Sequence, residues 1–170
     1  LLEQDRARWD RLLIRRGLAA LDRAEARGGS LGPYALQAAI AACHARSLTP
    51  EATDWARIAA LYDALSAVAP SPIVELNRGV AVAMAYGPEA GLEVIDPLQD
   101  EPALRSYHLL PAVRGDLLLR AGRRTEAIAE MRRRLESSGG KLHGLVNNAA
   151  ISPKDKNKQR LDSLSTPMDM

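Results

Sequence analysis

The sequence predicts an all-α fold of about seven short helices paired into hairpins and followed by a poorly structured tail. Three observations carry that expectation. Apolar residues recur at steps of three, four and seven over most of residues 5–136, the spacing of one face of a helix. Alanine supplies 29 of the 170 residues, whereas phenylalanine is absent and aromatics reach only 4%. Small side chains suit closely packed helices, and a β-sandwich would call for β-branched and aromatic residues. Proline and glycine also punctuate the chain at helix-length intervals.

The first helix is expected over residues 5–27, with Trp9, Leu12, Leu13, Ala20, Leu21 and Ala24 as its apolar stripe. Gly17 falls near that stripe, where a missing side chain would admit a second helix. Gly28, Gly29 and Ser30 end it. The second helix fits residues 33–46, with Pro33 in its first turn and Ala35, Leu36, Ala38, Ala39, Ile40 and Ala42 as a broad apolar face. The third runs over about 54–68 on Trp55, Ile58, Ala59, Leu61, Tyr62 and Leu65, capped by Thr49 or Thr53. Ser71 caps the fourth, 72–86, with Pro72 in its first turn. Gly87-Pro88 then separates a short fifth helix, 88–95. A sixth covers about 109–121. It has to begin near Pro111, because an interior proline costs about 3 kcal/mol. Gly122 ends it, and a seventh spans 124–136.

Gly79 in NRGVAVAMAYG and Gly115 in VRGDLLLRAGR lie 36 residues apart, each in mid-helix. Glycine there costs about 1 kcal/mol against alanine, and a close helix–helix contact is the usual reason to accept it. Each is followed by a glycine turn and a second helix, which is close to the period of tetratricopeptide units. GRRTEAIAEMRRRL reads as the turn and second helix of such a unit. The expected architecture is therefore a tetratricopeptide-like array over residues 1–136, with 137–170 as a tail.

Composition narrows the function. Residues 1–137 carry 18 basic and 18 acidic side chains, and the tail, with 5 and 3, supplies the whole net charge of +2. A neutral body argues against a nucleic-acid surface there. One cysteine, Cys43, excludes an internal disulfide and a cysteine-rich zinc site, and it reads as a small buried apolar residue. His44, His108 and His143 show no metal-ligand spacing, so no metal or cofactor is expected. No apolar run approaches the 18–20 or so residues of a membrane span. The opening LLEQDRARWD lacks the layout of a signal peptide and an initiator Met. The expectation is a cytoplasmic chain that is a piece of a longer one.

Candidate partner-binding residues cluster on three helices. Tyr34, Gln37 and His44 fall along one face of the second, at steps of three and seven, where they serve either partner contact or structural packing. Trp55 and Tyr62, seven apart on the third and flanked by Asp54 and Asp63, form either a polar-aromatic contact surface or core packing with helix-end charge. Asn77 and Arg78 lie beside Gly79 in the fourth. The Asn77 amide either bridges neighbouring helices or lines a groove, since helical arrays bind partners on a concave face. Arg132, Arg133 and Arg134 read as a solvated basic run. A seventh helix without its natural neighbour would expose apolar surface, so self-association is a further expectation.

The stretches GPYALQAAIAACHA (32–45), TDWARIAALYDAL (53–65), APSPIVELNRGVAVA (69–83) and SYHLLPAVRGDLLLRAGR (106–123), taken in this order, resemble the C-terminal extension of certain bacterial extracytoplasmic-function (ECF) sigma factors. LLEQDRARWDRLLI resembles the start of that extension. The resemblance implies a non-catalytic regulatory domain with a tetratricopeptide-like fold. Its implied partners are the sigma core regions or RNA polymerase, with no direct contact to DNA by this segment. A generic peptide-binding helical scaffold is the alternative from residue pattern alone.

The tail departs from this pattern. LHGLVNNAAIS, with Leu145, Val146, Asn147, Asn148 and Ala149, resembles the strand and turn of short-chain dehydrogenases, although Ala150 stands where that family usually has glycine. That resemblance implies an NAD(P)-linked oxidoreductase fragment. No G-x-G-x-x-G loop precedes it, and Tyr34, Tyr62, Tyr86 and Tyr107 are followed four residues on by Ala38, Ser66, Ala90 and Pro111 rather than by lysine. The turn Asn147–Ala150 is therefore expected to be non-functional, as a fragment joined to a truncated helical domain would be.

Overall fold

In the computed structural model, residues 5–28 and 31–137 are described, with side chains to residue 133. The expected tail beyond Ser137, including the dehydrogenase-like turn, lies outside these residues, as does the side chain of Arg134. Among the described residues all regular structure is helical: α1 (Arg11–Ala26), α2 (Pro33–Arg46), α3 (Trp55–Val68), α4 (Pro72–Tyr86), α5 (Pro88–Ile95), α6 (Leu109–Arg120) and α7 (Arg124–Ser137). Short 3₁₀ turns occupy Arg6–Arg8, Asp96–Asp100 and Pro102–Leu104. None of the described helices is long and apolar enough to cross a membrane.

Each helix packs against the next in sequence, which makes a helical array with α4 at its centre. One face of α4 places Ala81 in a core with Leu36, Ile40, Cys43, Ile58, Ala59 and Leu65 from α2 and α3. Another places Leu76 and Ala83 in a core with Leu92, Ile95, Leu110, Leu117 and Leu118 from α5 and α6. A smaller cluster of Leu21, Ala39 and Ala42 holds α1 on α2. Each fully buried Leu or Ile contributes about 1.5–3 kcal/mol of transfer free energy, so these two interiors dominate the array's stability.

Helix boundaries follow local chemistry. Pro33, Pro72 and Pro88 each open a helix, and Ser71 Oγ accepts from the Ile73 amide to cap α4. Gly87 turns α4 into α5 with φ +104°, a conformation costly for any residue with a Cβ. Gly79 and Gly91 meet where α4 crosses α5. A Cβ on Gly79 would overlap Ile95, and one on Gly91 would stand 2.8 Å from the Gly79 carbonyl oxygen. The expected close contact is therefore real at Gly79. It is absent at Gly115 and Gly17, where a Cβ would meet nothing within 4 Å.

Two other expectations are corrected. The first helix begins at Arg11 rather than at residue 5, because the Asp10 carboxylate accepts from the Leu12 and Leu13 amides at 2.8 and 3.0 Å and starts the helix there. The face α1 packs is Ile14, Leu18 and Leu21, while Leu12, Leu13, Ala20 and Ala24 are exposed. The cap of α3 is Asp54, which accepts from the Arg57 amide at 2.9 Å, and not Thr49 or Thr53. Thr53 is buried in another role, described next.

Candidate interaction site

The chain order Asp5, Asp10 sets up two separately capped units. The Asp5 carboxylate accepts from the Ala7 amide at 3.0 Å and forms the 3₁₀ turn Arg6–Arg8. Trp9 follows in extended conformation (φ −71°, ψ 141°), and Asp10 then opens α1. This arrangement directs the Arg6 side chain inward, where only 4% of the residue is exposed. Its Nη1 donates to the carbonyls of His44, Ser47 and Thr49 at 3.2, 2.9 and 3.0 Å, and its Nη2 donates to Thr53 Oγ1 at 3.1 Å. The last turn of a helix leaves carbonyls without intrahelical donors. At the end of α2 one of these, on His44, is met by Arg6. Another, on Cys43, is met by Ser47 Oγ at 3.0 Å.

Beside this anchor lies a cleft of about 480 Å³ lined by Trp9, Gln37, Ile40, Ala41, His44, Ala45 and Tyr62. Five of these residues, Gln37, Ile40, Ala41, His44 and Ala45, belong to α2. The indole of Trp9 stands over the Arg6 guanidinium at 5.2 Å, so the cation holds one wall through its attraction to the ring. The His44 imidazole meets Trp55 edge-on, with centroids 5.2 Å apart. Burial first, and then the Arg6 charge, lowers the His44 pKa below its ordinary value. The ring is thus neutral at pH 7, and its Nδ1 is buried without a hydrogen-bond partner among the described residues. Burial also raises the Tyr62 phenol, which stays protonated. The arrangement offers an apolar trough edged by an amide, a phenol and a neutral imidazole.

The structure brings together three of the eight candidate residues, Gln37, His44 and Tyr62. Trp55 supports His44 from behind, and Asp54 serves as the α3 cap. Tyr34 is 85% exposed and outside the cleft. Asn77 is exposed on α4, so its amide does not bridge buried helices. Arg78 is committed to an ion network instead of a groove: its Nε donates to Glu75 at 2.9 Å and its Nη1 to Asp63 at 3.1 Å, while Ser66 donates to the same Glu75. This network ties α4 to α3. Arg6 and Trp9 escaped the sequence reading. Arg6's partners lie 38–47 residues away, beyond any periodicity, and Trp9 reads as a helix-stripe residue. Cys43 is buried, as expected, and burial raises its thiol pKa.

No family model matches the chain, and no solved structure matches it. Over 127 residues it is 48% identical to the uncharacterized protein R00370 of Rhizobium meliloti (strain 1021). That similarity covers 75% of this chain and 29% of the relative, so the chain spans under a third of the length of the curated protein it matches.

Proposed function

We propose that this chain is a non-catalytic interaction module of an ECF sigma factor, and that it modulates transcription initiation by contacting the sigma core regions or RNA polymerase through the α2–α3 cleft. One observation carries the reading. The two segments with the sigma-extension resemblance at 32–45 and 53–65 are α2 and α3, which supply Gln37, His44 and Tyr62 to a single cleft. Trp9 and Tyr62 beside the apolar Ile40, Ala41 and Ala45 are the composition expected where a few anchors carry most of an affinity. The relative's greater length fits a module that works as part of a larger polypeptide.

The test is a calorimetric titration of the 170-residue chain with separately expressed sigma regions from an ECF factor that carries such an extension. Saturable binding is expected. Ala41→Arg, which fills the cleft from an exposed helical position, should weaken it by at least about 2 kcal/mol, the scale of an interface hot spot. Failure of the folded native chain to bind would leave the generic peptide-binding scaffold as the reading.

A further inference from the structure

The oxygens around Arg6 form a socket of defined shape. Three carbonyls converge on Nη1 and one hydroxyl on Nη2, all at 2.9–3.2 Å. The negative end of the α2 dipole adds to their attraction for a cation. A planar fork satisfies both subsites at once, whereas an ammonium, as a single point, reaches one. The occupant is nevertheless imperfectly held. Among the described residues its hydrogen-bond partners are neutral oxygens only, and its Nε is buried with no partner. A desolvated guanidinium with no carboxylate bonded to it among the described residues is costly, and its charge reaches the exposed Glu51 carboxylate only across space. The strap that carries it, Asp5–Trp9, is a self-capped turn joined to α1 through one extended residue, Trp9.

From this geometry we infer that the carbonyls of His44, Ser47 and Thr49, with the Thr53 hydroxyl, form a guanidinium-binding socket that Arg6 fills as an internal ligand and that an arginine of a partner protein fills by exchange. Displacing Arg6 frees the strap, and Trp9, which stands on its guanidinium, leaves the cleft wall. The gain of cleft access rests on the function proposed above. The socket itself does not.

The experiment therefore uses the 170-residue chain without any sigma region. In Arg6→Ala, amide exchange over residues 47–53, followed by NMR, should rise at least about tenfold, since charge-assisted bonds to these carbonyls are lost. Millimolar N-ethylguanidinium, which replaces the deleted group, should restore protection. Propylammonium at equal ionic strength should not. In the native chain, excess Nα-acetylarginine amide should shift the Trp9 indole and Thr53 amide resonances, and the lysine analogue should leave them in place. Unchanged exchange in Arg6→Ala, or rescue that is absent or equal for the two cations, overturns the inference. If Arg6→Ala does not fold, Arg6→Lys decides. It keeps the stem and charge but not the fork, so it should lose protection over 47–53. Native protection in that variant contradicts a guanidinium socket.

Discussion

Two regions of the molecule each bury an arginine, and they hold it in opposite ways. Arg114 of α6 is 8% exposed. Its Nε donates to Asp96 at 2.8 Å and its Nη1 to Glu130, itself 9% exposed, which also accepts from Arg133. Burial opposes the Arg114 charge, but hydrogen bonds and charge from Asp96 and Glu130 outweigh it and raise its pKa. Here a cation with its counter-charges clamps α6 to α7 and to the turn after α5. Arg6, equally buried, has hydrogen bonds to neutral oxygens instead and joins a strap to a loop. The molecule is thus built to stay closed at Arg114 and can open at Arg6. Charge neutralised inside a core acts as a lock, whereas a cation held by backbone dipoles has a better partner waiting in any carboxylate or solvent-exposed alternative.

The largest effect should come from breaking the lock. Arg114→Ala leaves the buried Glu130 with only the largely exposed Arg133 as partner and should cost about 3–5 kcal/mol in urea unfolding, whereas replacing Arg114 and Glu130 together with Met and Leu should recover most of that loss. A double variant no more stable than the single one would show that the cost does not arise from the under-compensated Glu130 charge.

Arg6→Gln should cost less, about 1–3 kcal/mol, as carbonyl partners are lost at the edge of the array. Its damage should be local. Exchange should accelerate over residues 47–53 and leave α6 and α7 protected, and an equal loss of protection in both regions would contradict the separation.

The smallest effect is on pH dependence. His44 has a folded pKa below its unfolded value of about 6.5, so the unfolded chain binds more protons in that window. Stability contributed at neutral pH should therefore fall as pH drops through about 6.5 towards the folded pKa, by at most about 1.4 kcal/mol per pH unit. His44→Gln should remove that slope, and chemical denaturation between pH 7 and 5 measures it. Combining His44→Gln with Arg114→Ala should give additive losses, since they touch separate cores.

The comparison also marks what the sequence made legible. Helices α2, α4 and α5 follow from Pro33, Pro72, Gly87 and Pro88, and the break between α6 and α7 from Gly122, whose backbone preferences act within one turn of where they stand. Gln37, His44 and Tyr62 are legible as helix-face neighbours, and the structure adds that their faces meet. The start of α1 was misplaced because two aspartates five residues apart can each cap, and only the course of the chain selects Asp10. Gly79 and Gly115 look alike in sequence. Only Gly79 faces a crossing helix, and a single chain's spacing does not encode which face is covered. Arg6 was invisible for a different reason. Its partners are backbone carbonyls, which every residue carries, so no side-chain pattern announces them. Outward-facing Ile128 and Met131 on α7 agree with the expected exposed apolar surface there.

The strap and its loop open independently of the clamped core. Native-state hydrogen exchange on the intact chain, measured at increasing sub-denaturing urea, tests it most directly. Amides of residues 47–53 should exchange through low-energy openings insensitive to urea, while those of Leu117 and Leu118 should exchange only by global unfolding and respond steeply. Equal opening free energies and equal urea dependence in the two regions would contradict it.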